Sequence, residues 1–205
     1  MLCEKCKKKT IIKSTYKYCD ECFLEIAEKR IRKEIRLNNL IKKNDNLLFI
    51  DSENYLTHIS VFFIKRILKG MPYHCDITKS KFYQKKFSEK SKTIAKHNVI
   101  VLPICLDYEC EQFLGSFMEG KNPGHIGNYK KGKLMLIKPL LCLTREECER
   151  IALILYKKKP KKEQKKSEIS SFLDSLEKAH PETKHSLLKS IYALKKVYTK
   201  GKTSE

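Results

Sequence analysis

Two rhythms of apolar residues alternate along this chain. Short runs, Leu47-Leu48-Phe49-Ile50, Val99-Ile100-Val101-Leu102 and Leu134-Met135-Leu136-Ile137, are apolar at every position. Such runs mark strands buried on both faces of a parallel sheet. Around them, apolar residues return at three- and four-residue steps, as on amphipathic helices. Leu24, Ala27, Ile31 and Ile35 make one stripe in a helix predicted over 20–40. Further helices are predicted over 55–68, closed by Gly70 and Pro72, over 87–97, and over 108–118, ending at Gly120. Another runs from the capping box Thr144-Arg145-Glu146-Glu147 to residue 156. Residues 73–77 read as one more strand, and 120–132, with four glycines and Pro123, as a loop. Two closing helices, 168–178 and 182–198, hinge at Pro181. Leu173, Leu176, Leu187, Leu188, Ile191 and Leu194 give them the stripe of an ordinary core contact. Strands alternating with helices predict an α/β fold with a parallel sheet and flanking helices.

The same rhythm divides the chain into four parts. Residues 1–42 hold a cysteine-rich start and a basic helix, and 43–156 an α/β domain. Residues 157–167 form a lysine-rich linker broken by Pro160, and 168–205 the helical pair. No internal repeat is visible. No apolar run approaches the ~18–20 residues that a membrane span requires, so no membrane attachment is expected. The residues after Leu2 turn polar, so no secretory leader is expected either.

Charge narrows the partners. Lysine and arginine outnumber aspartate and glutamate 44 to 24, a formal net charge of +20 in 205 residues. Charged residues make up 33% of the chain. That balance favours a polyanion such as RNA, although a solvated lysine surface alone binds nothing. On the helix 20–40, Lys29, Arg30, Arg32, Lys33 and Arg36 crowd the side away from the apolar stripe. A face of that kind can lie along a phosphate backbone.

The cysteines carry the clearest chemistry. Cys3-Glu4-Lys5-Cys6 and Cys19-Asp20-Glu21-Cys22 are two CxxC pairs separated by one loop that begins Lys7-Lys8-Lys9. Each pair places two thiolates on one tight turn, and two such turns make a four-cysteine tetrahedral site suited to zinc. Four thiolates also accept an iron–sulfur cluster, so that assignment stays open as the alternative. Nine cysteines, an odd number, fit a reducing compartment such as the cytoplasm better than a disulfide scaffold. Cys75, Cys105, Cys110, Cys142 and Cys148 read as small buried hydrophobes.

Several segments, taken in order, resemble the second, non-catalytic subunit family of the cytosolic tRNA 2-thiolation complex. Cys3-Glu4-Lys5-Cys6-Lys7 and Tyr18-Cys19-Asp20-Glu21-Cys22-Phe23 are similar to that family's opening CxxCK and YCxxCF pairs. Lys96-His97-Asn98 before the strand at 99–102 resembles its basic-residue-then-strand element, and Lys138-Pro139-Leu140 its RPL segment. Phe172-Leu173, Leu176, His180-Pro181-Glu182-Thr183, Lys189-Ser190 and Ala193-Leu194 resemble its C-terminal helical pair. The chain departs from the family in Lys138 for arginine, in Glu182 for serine, and in its short length.

The resemblance implies a degenerate PP-loop ATPase fold of the HUP-like kind. It further implies a heterodimer with a catalytic PP-loop subunit and sulfur donated by a thiocarboxylated ubiquitin-related modifier. In that scheme this chain binds tRNA without catalysing the reaction, zinc sits on Cys3, Cys6, Cys19 and Cys22, and phosphates meet Lys7, Lys8, Lys9, Arg30, Arg32, Lys33 and Arg36.

One departure concerns the nucleotide. PP-loop enzymes carry an SGGxxS-type turn after the first strand, whereas this chain reads Asp51-Ser52-Glu53-Asn54-Tyr55. A phosphate cradle needs glycines so that backbone N–H groups can close on the anion. Two carboxylates there would repel a pyrophosphate by roughly 1–4 kcal/mol per charge pair. No ATP binding is therefore expected. Sulfur chemistry has only Cys105, Cys110, Cys142 and Cys148 as candidates, on no recognisable motif, and His125 reads as an exposed loop histidine. Two other readings stay open from sequence. One is an active tRNA sulfurtransferase with an altered nucleotide loop, using Cys105 or Cys142. The other is a zinc-ribbon RNA-binding or ribosome-associated protein unrelated to thiolation.

Overall fold

Five strands form one sheet in the computed structural model, which describes residues 2–8, 17–51, 53–79, 92–121, 126–157 and 167–200. They are β1 (Asn46–Asp51), β2 (His74–Lys79), β3 (Val99–Val101), β4 (Tyr129–Lys131) and β5 (Leu134–Ile137). Their order is β2-β1-β3-β5-β4. The pairs β1/β2, β1/β3 and β3/β5 are parallel, and only β4/β5 is antiparallel. Three strands match the uninterrupted apolar runs because both sheet faces are covered.

Leu47, Phe49, Val99, Val101 and Ile137 belong to one core cluster, and Leu48, Ile50, Ile100, Leu134 and Leu136 to the other. Fully burying a side chain such as Phe49 or Leu47 is worth about 1.5–3 kcal/mol.

Helices α1 (Asp20–Leu37), α2 (Tyr55–Ile67) and α5 (Arg145–Tyr156) cover the first face. The short α3 (Lys92–Ala95), with α4 (Leu106–Met118), α6 (Glu168–Ala179) and α7 (Thr183–Lys200), covers the second. Strand β1 leads through α2 to β2 on one side, while β3 lies on its other side. The crevice between the carboxyl ends of β1 and β3 is therefore the switch point, where open α/β sheets take their ligands.

Two local expectations change. The stretch 120–132 is not loop throughout. Tyr129–Lys131 forms β4, joined to β5 through Gly132-Lys133. Gly132 has φ +56°, at the position a two-residue hairpin turn reserves for glycine. A three-residue strand with two lysines carries too little apolar pattern to be read from sequence. On α1, Phe23 heads the buried stripe with Ala27, Ile31 and Ile35, and Leu24 is only half-buried. The Arg150 guanidinium lies 4.0 Å from the Phe23 ring centroid and turns that residue inward. Of the helix expected over 87–97, Lys92–Ala95 is observed, and 80–91 lie outside the described residues.

Candidate metal centre and strand-end crevice

The cysteine module is built on the start of α1. Cys19 is the extended residue before the helix and Cys22 lies in its first turn, so both sit at the positive end of the helix dipole. The first pair closes as a turn, with Lys7 N–H donating to the Cys3 carbonyl at 2.9 Å and Lys7 in the left-handed region at φ +59°. Cys3 N–H bonds the Lys8 carbonyl, and Glu4 N–H the Lys17 carbonyl, tying the two halves together.

The four sulfurs all lie within 4.8 Å of one another and form a metal-binding group. Cys6 and Cys19 are 3.8 Å apart. That is the edge expected of a tetrahedron with metal–sulfur bonds of about 2.3 Å. Backbone N–H groups aimed at Cys3, from Cys6 first and then Cys19 and Lys5, bring its thiol down to about 6. Cys22 goes the other way, pushed up to about 12 by burial and by the neighbouring thiols. Four thiolates this close repel each other, and a cation at their centre removes the conflict. No other such cluster occurs among the described residues.

Arg150 of α5 fixes the module to the sheet domain. Besides covering Phe23, it donates to the Tyr18 carbonyl at 2.7 Å and lies 3.6 Å from Asp20. All three contacts fall beside Cys19 or Cys22. Lys7, Lys8, Lys33 and Arg36 are exposed around this module and helix, and Arg32 pairs with Glu28 at 2.6 Å. Lys9 lies outside the described residues. Arg30, expected among the phosphate contacts, is half-buried and partnered within the chain. It donates to Glu147 at 2.5 Å and to the Cys142 carbonyl, and lies 3.4 Å from His185 Nε2. Its sequence position cannot distinguish an outward arginine from one partnered within the chain.

The crevice after β1 is occupied by the chain's own groups. Asn54 Oδ1 accepts from the N–H groups of Leu56 (3.0 Å) and Thr57 (3.4 Å), capping α2. Asp51 Oδ1 accepts from the Glu53 N–H at 2.9 Å. These are donors that a phosphate at this helix start would need. Glu53 adopts φ +57°, a conformation usually left to glycine, so the turn keeps its left-handed residue while adding a carboxylate. Lys79 stands 3.2 Å from Glu53. Ser52 and His125 lie outside the described residues.

Tyr55, the first residue of α2, packs on the first core cluster, and Tyr108, in the first turn of α4, packs on both. The Arg145 guanidinium stacks 4.6 Å from the Tyr108 ring centroid. Burial raises the Tyr55 phenol above its ordinary value.

Two lysines make buried ion pairs that the sequence does not announce. Lys138, just past β5, places Nζ 2.8 and 2.7 Å from the two carboxylate oxygens of Glu109 in α4, and both residues are buried. Burial pulls this ammonium below the usual lysine value, against the attraction of Glu109. Gly127 N–H also donates to Glu109. Lys184 of α7 reaches Asp107 in α4 and Asp174 in α6, the latter at 2.6 Å. Burial opposes its charge, but the two carboxylates outweigh that and raise the lysine. The sequence signals were Lys138 in the Lys138-Pro139-Leu140 segment and two acids, Asp107 and Glu109, near the start of a helix behind a buried strand.

The isolated cysteines behave largely as expected. Cys105, Cys110 and Cys148 are buried, and Cys75 and Cys142 are partly so. Burial pushes Cys110 and Cys142 up to about 12 and raises Cys148 too. These three thiols stay protonated near neutrality, and a protonated thiol is a poor nucleophile.

No protein-family model matches the chain. No curated protein matches it either. Among solved structures it is similar to the U34-tRNA thiolase NcsA from Methanococcus maripaludis, determined with its [4Fe-4S] cluster. The TM-score is 0.72 at 19% identity, over 95% of this chain and 87% of that one. The likeness shows a shared fold. It agrees with the class expected from sequence, a largely parallel α/β sheet with flanking helices preceded by a four-cysteine module. No helix among the described residues is long and apolar enough to cross a membrane.

Proposed function

We propose that this chain is a non-catalytic, tRNA-binding subunit of a complex that 2-thiolates the wobble uridine of tRNA. In this reading it pairs with a catalytic PP-loop subunit in the cytoplasm, and the sulfur comes from a thiocarboxylated ubiquitin-related modifier. The observation that carries the proposal is the turn after β1. In a fold shared with a U34-tRNA thiolase, Asp51 and Asn54 hold the N–H groups of Glu53, Leu56 and Thr57 that an ATP phosphate would need. Burial of Cys105 and protonation of Cys142 speak against the rival reading of an active sulfurtransferase.

Zinc suits the four cysteines better than an iron–sulfur cluster. Sulfurs within 4.8 Å of one another fit four bonds to a single ion. A cube of four irons interposes metal and sulfide between each cysteine pair and needs wider spacing. Bound zinc would hold the thiolates of Cys3, Cys6, Cys19 and Cys22 together as a structural site and supply no reaction step. The ion, with Arg150 behind it, would hold Lys7 and Lys8 at the start of α1, and Arg32, Lys33 and Arg36 farther along that helix would continue the phosphate-binding face. Arg30 serves α1 packing instead.

The test is reconstitution. The purified chain, its co-purified partner, ATP, tRNA and the thiocarboxylated modifier are combined, and tRNA nucleosides are read by mass spectrometry. Thiouridine should form only with both subunits present. Thiolation by this chain alone, or undiminished thiolation without it, overturns the proposal.

A further inference from the structure

An exposed aromatic pair lies away from the phosphate-binding face. Tyr156, the last residue of α5, remains 45% exposed, with its ring 5.9 Å from that of His58 and inclined 64° to it. His58 belongs to the first turn of α2, directly after the crevice at the end of β1, so the pair lies at the ligand end of the sheet. His58 is itself exposed. The next aromatic along the same α2 face, Phe62, already carries the Arg66 guanidinium 5.3 Å from its centroid.

Cations frame the pair. Lys157 follows Tyr156 directly and is exposed, and its left-handed φ of +55° ends the helix there. Lys65, also exposed, stands seven residues beyond His58 on α2, about 10 Å along the helix axis. Two exposed carboxylates bound the patch, Glu149 two turns earlier on α5 and Glu53, paired with Lys79, in the turn before α2. Other exposed apolar side chains lie elsewhere, Phe117 and Met118 beside the balanced ion pair of Glu119 and Lys121, Phe172 on α6 and Ile77 on β2.

We infer that the rim formed by α2 and α5 is a second RNA contact, in which His58 and Tyr156 stack on an unpaired nucleobase while Lys65 and Lys157 meet its flanking phosphates. An aromatic face in cationic surroundings is the recurrent device for holding a splayed-out base of single-stranded RNA. The inference rests on the proposed tRNA-binding role but assigns different chemistry to a different surface. The α1 face meets backbone charge, whereas this rim requires a base free of its stack. It therefore selects tRNA loops over duplex arms.

The experiment measures binding of the zinc-loaded full chain to tRNA, to a single-stranded oligoribonucleotide and to a duplex of equal length, across a salt series. Tyr156→Ala should weaken single-strand and tRNA binding by about ten-fold or more. It should leave duplex binding and the salt slope unchanged, and Tyr156→Phe should restore affinity. Lys33→Ala/Arg36→Ala should instead flatten the salt slope on all three ligands. Because Tyr156→Ala also removes the ring contact with His58 at the end of α5, the wild-type chain is also cross-linked to RNA bearing a photoreactive uridine. Attachment to the peptide carrying Tyr156 is the expected result. Unchanged single-strand affinity of Tyr156→Ala beside a responsive α1 variant, or cross-links confined to α1, overturns this inference and leaves the RNA-binding role standing. A wild-type chain that binds none of the three ligands overturns both.

Discussion

The cysteine quartet and the turn after β1 both gather polar groups at a helix start, yet they differ in where those groups find partners. Around Cys3, Cys6, Cys19 and Cys22, backbone donors point at sulfur, and the sulfurs point at one another. Among the described residues Lys5 faces Cys3 and Cys22, but its charge is already bound to Glu25. After β1 the reverse holds. Asp51 and Asn54 accept from the very N–H groups that make a helix start attractive to an anion, and Lys79 stands against the Glu53 carboxylate. The first arrangement is incomplete without a ligand, and the second is complete without one.

Removing the metal should produce the largest effect. Zinc-finger peptides draw about 10–16 kcal/mol of folding free energy from their ion. Chelation, or Cys22→Ser, should release one equivalent of metal and open the amides of residues 2–8 and 17–22 to hydrogen exchange. Amides of β1 and β3 should stay protected, since α2 and α5 on one face and α4, α6 and α7 on the other also cover these strands. Retention of metal and protection in Cys22→Ser would break the contrast at its first side.

The buried pair of Lys138 and Glu109 offers a second handle, because it too is complete within the chain. Glu109→Gln strands a buried ammonium and should cost roughly 3–5 kcal/mol in denaturant unfolding. Adding Lys138→Met should recover most of that loss, as glutamine can still accept from Gly127. If the double variant is no better than the single one, the lysine has a role beyond neutralising Glu109.

The smallest effect is expected in the turn itself. Asn54→Ala removes the cap of α2 and should lower stability by about 1 kcal/mol, whereas Asn54→Gly should cost only a few tenths. Neither variant should gain magnesium-dependent ATP binding in calorimetry, because Asp51 and Glu53 remain. Saturable ATP binding by Asn54→Gly would show that the cap alone masks a working phosphate site.

The pattern of apolar residues determined much of this molecule by itself. Runs such as Leu47-Leu48-Phe49-Ile50 can be satisfied only between two helical layers, so the parallel α/β class followed from sequence. The two CxxC pairs likewise announced their site, because the ligands of each pair are brought together by a local turn. Contacts between distant segments were not legible. Asp107 meets Lys184, Arg30 turns toward Glu147, and His58 meets Tyr156 only after the sheet has ordered the helices around it. A charged or aromatic residue carries the same local signal whether it faces solvent or a partner far along the chain. Local spacing thus specified the strands, the helices and the metal quartet. Tertiary packing decided which charges were neutralised inside and which remained free to meet another molecule.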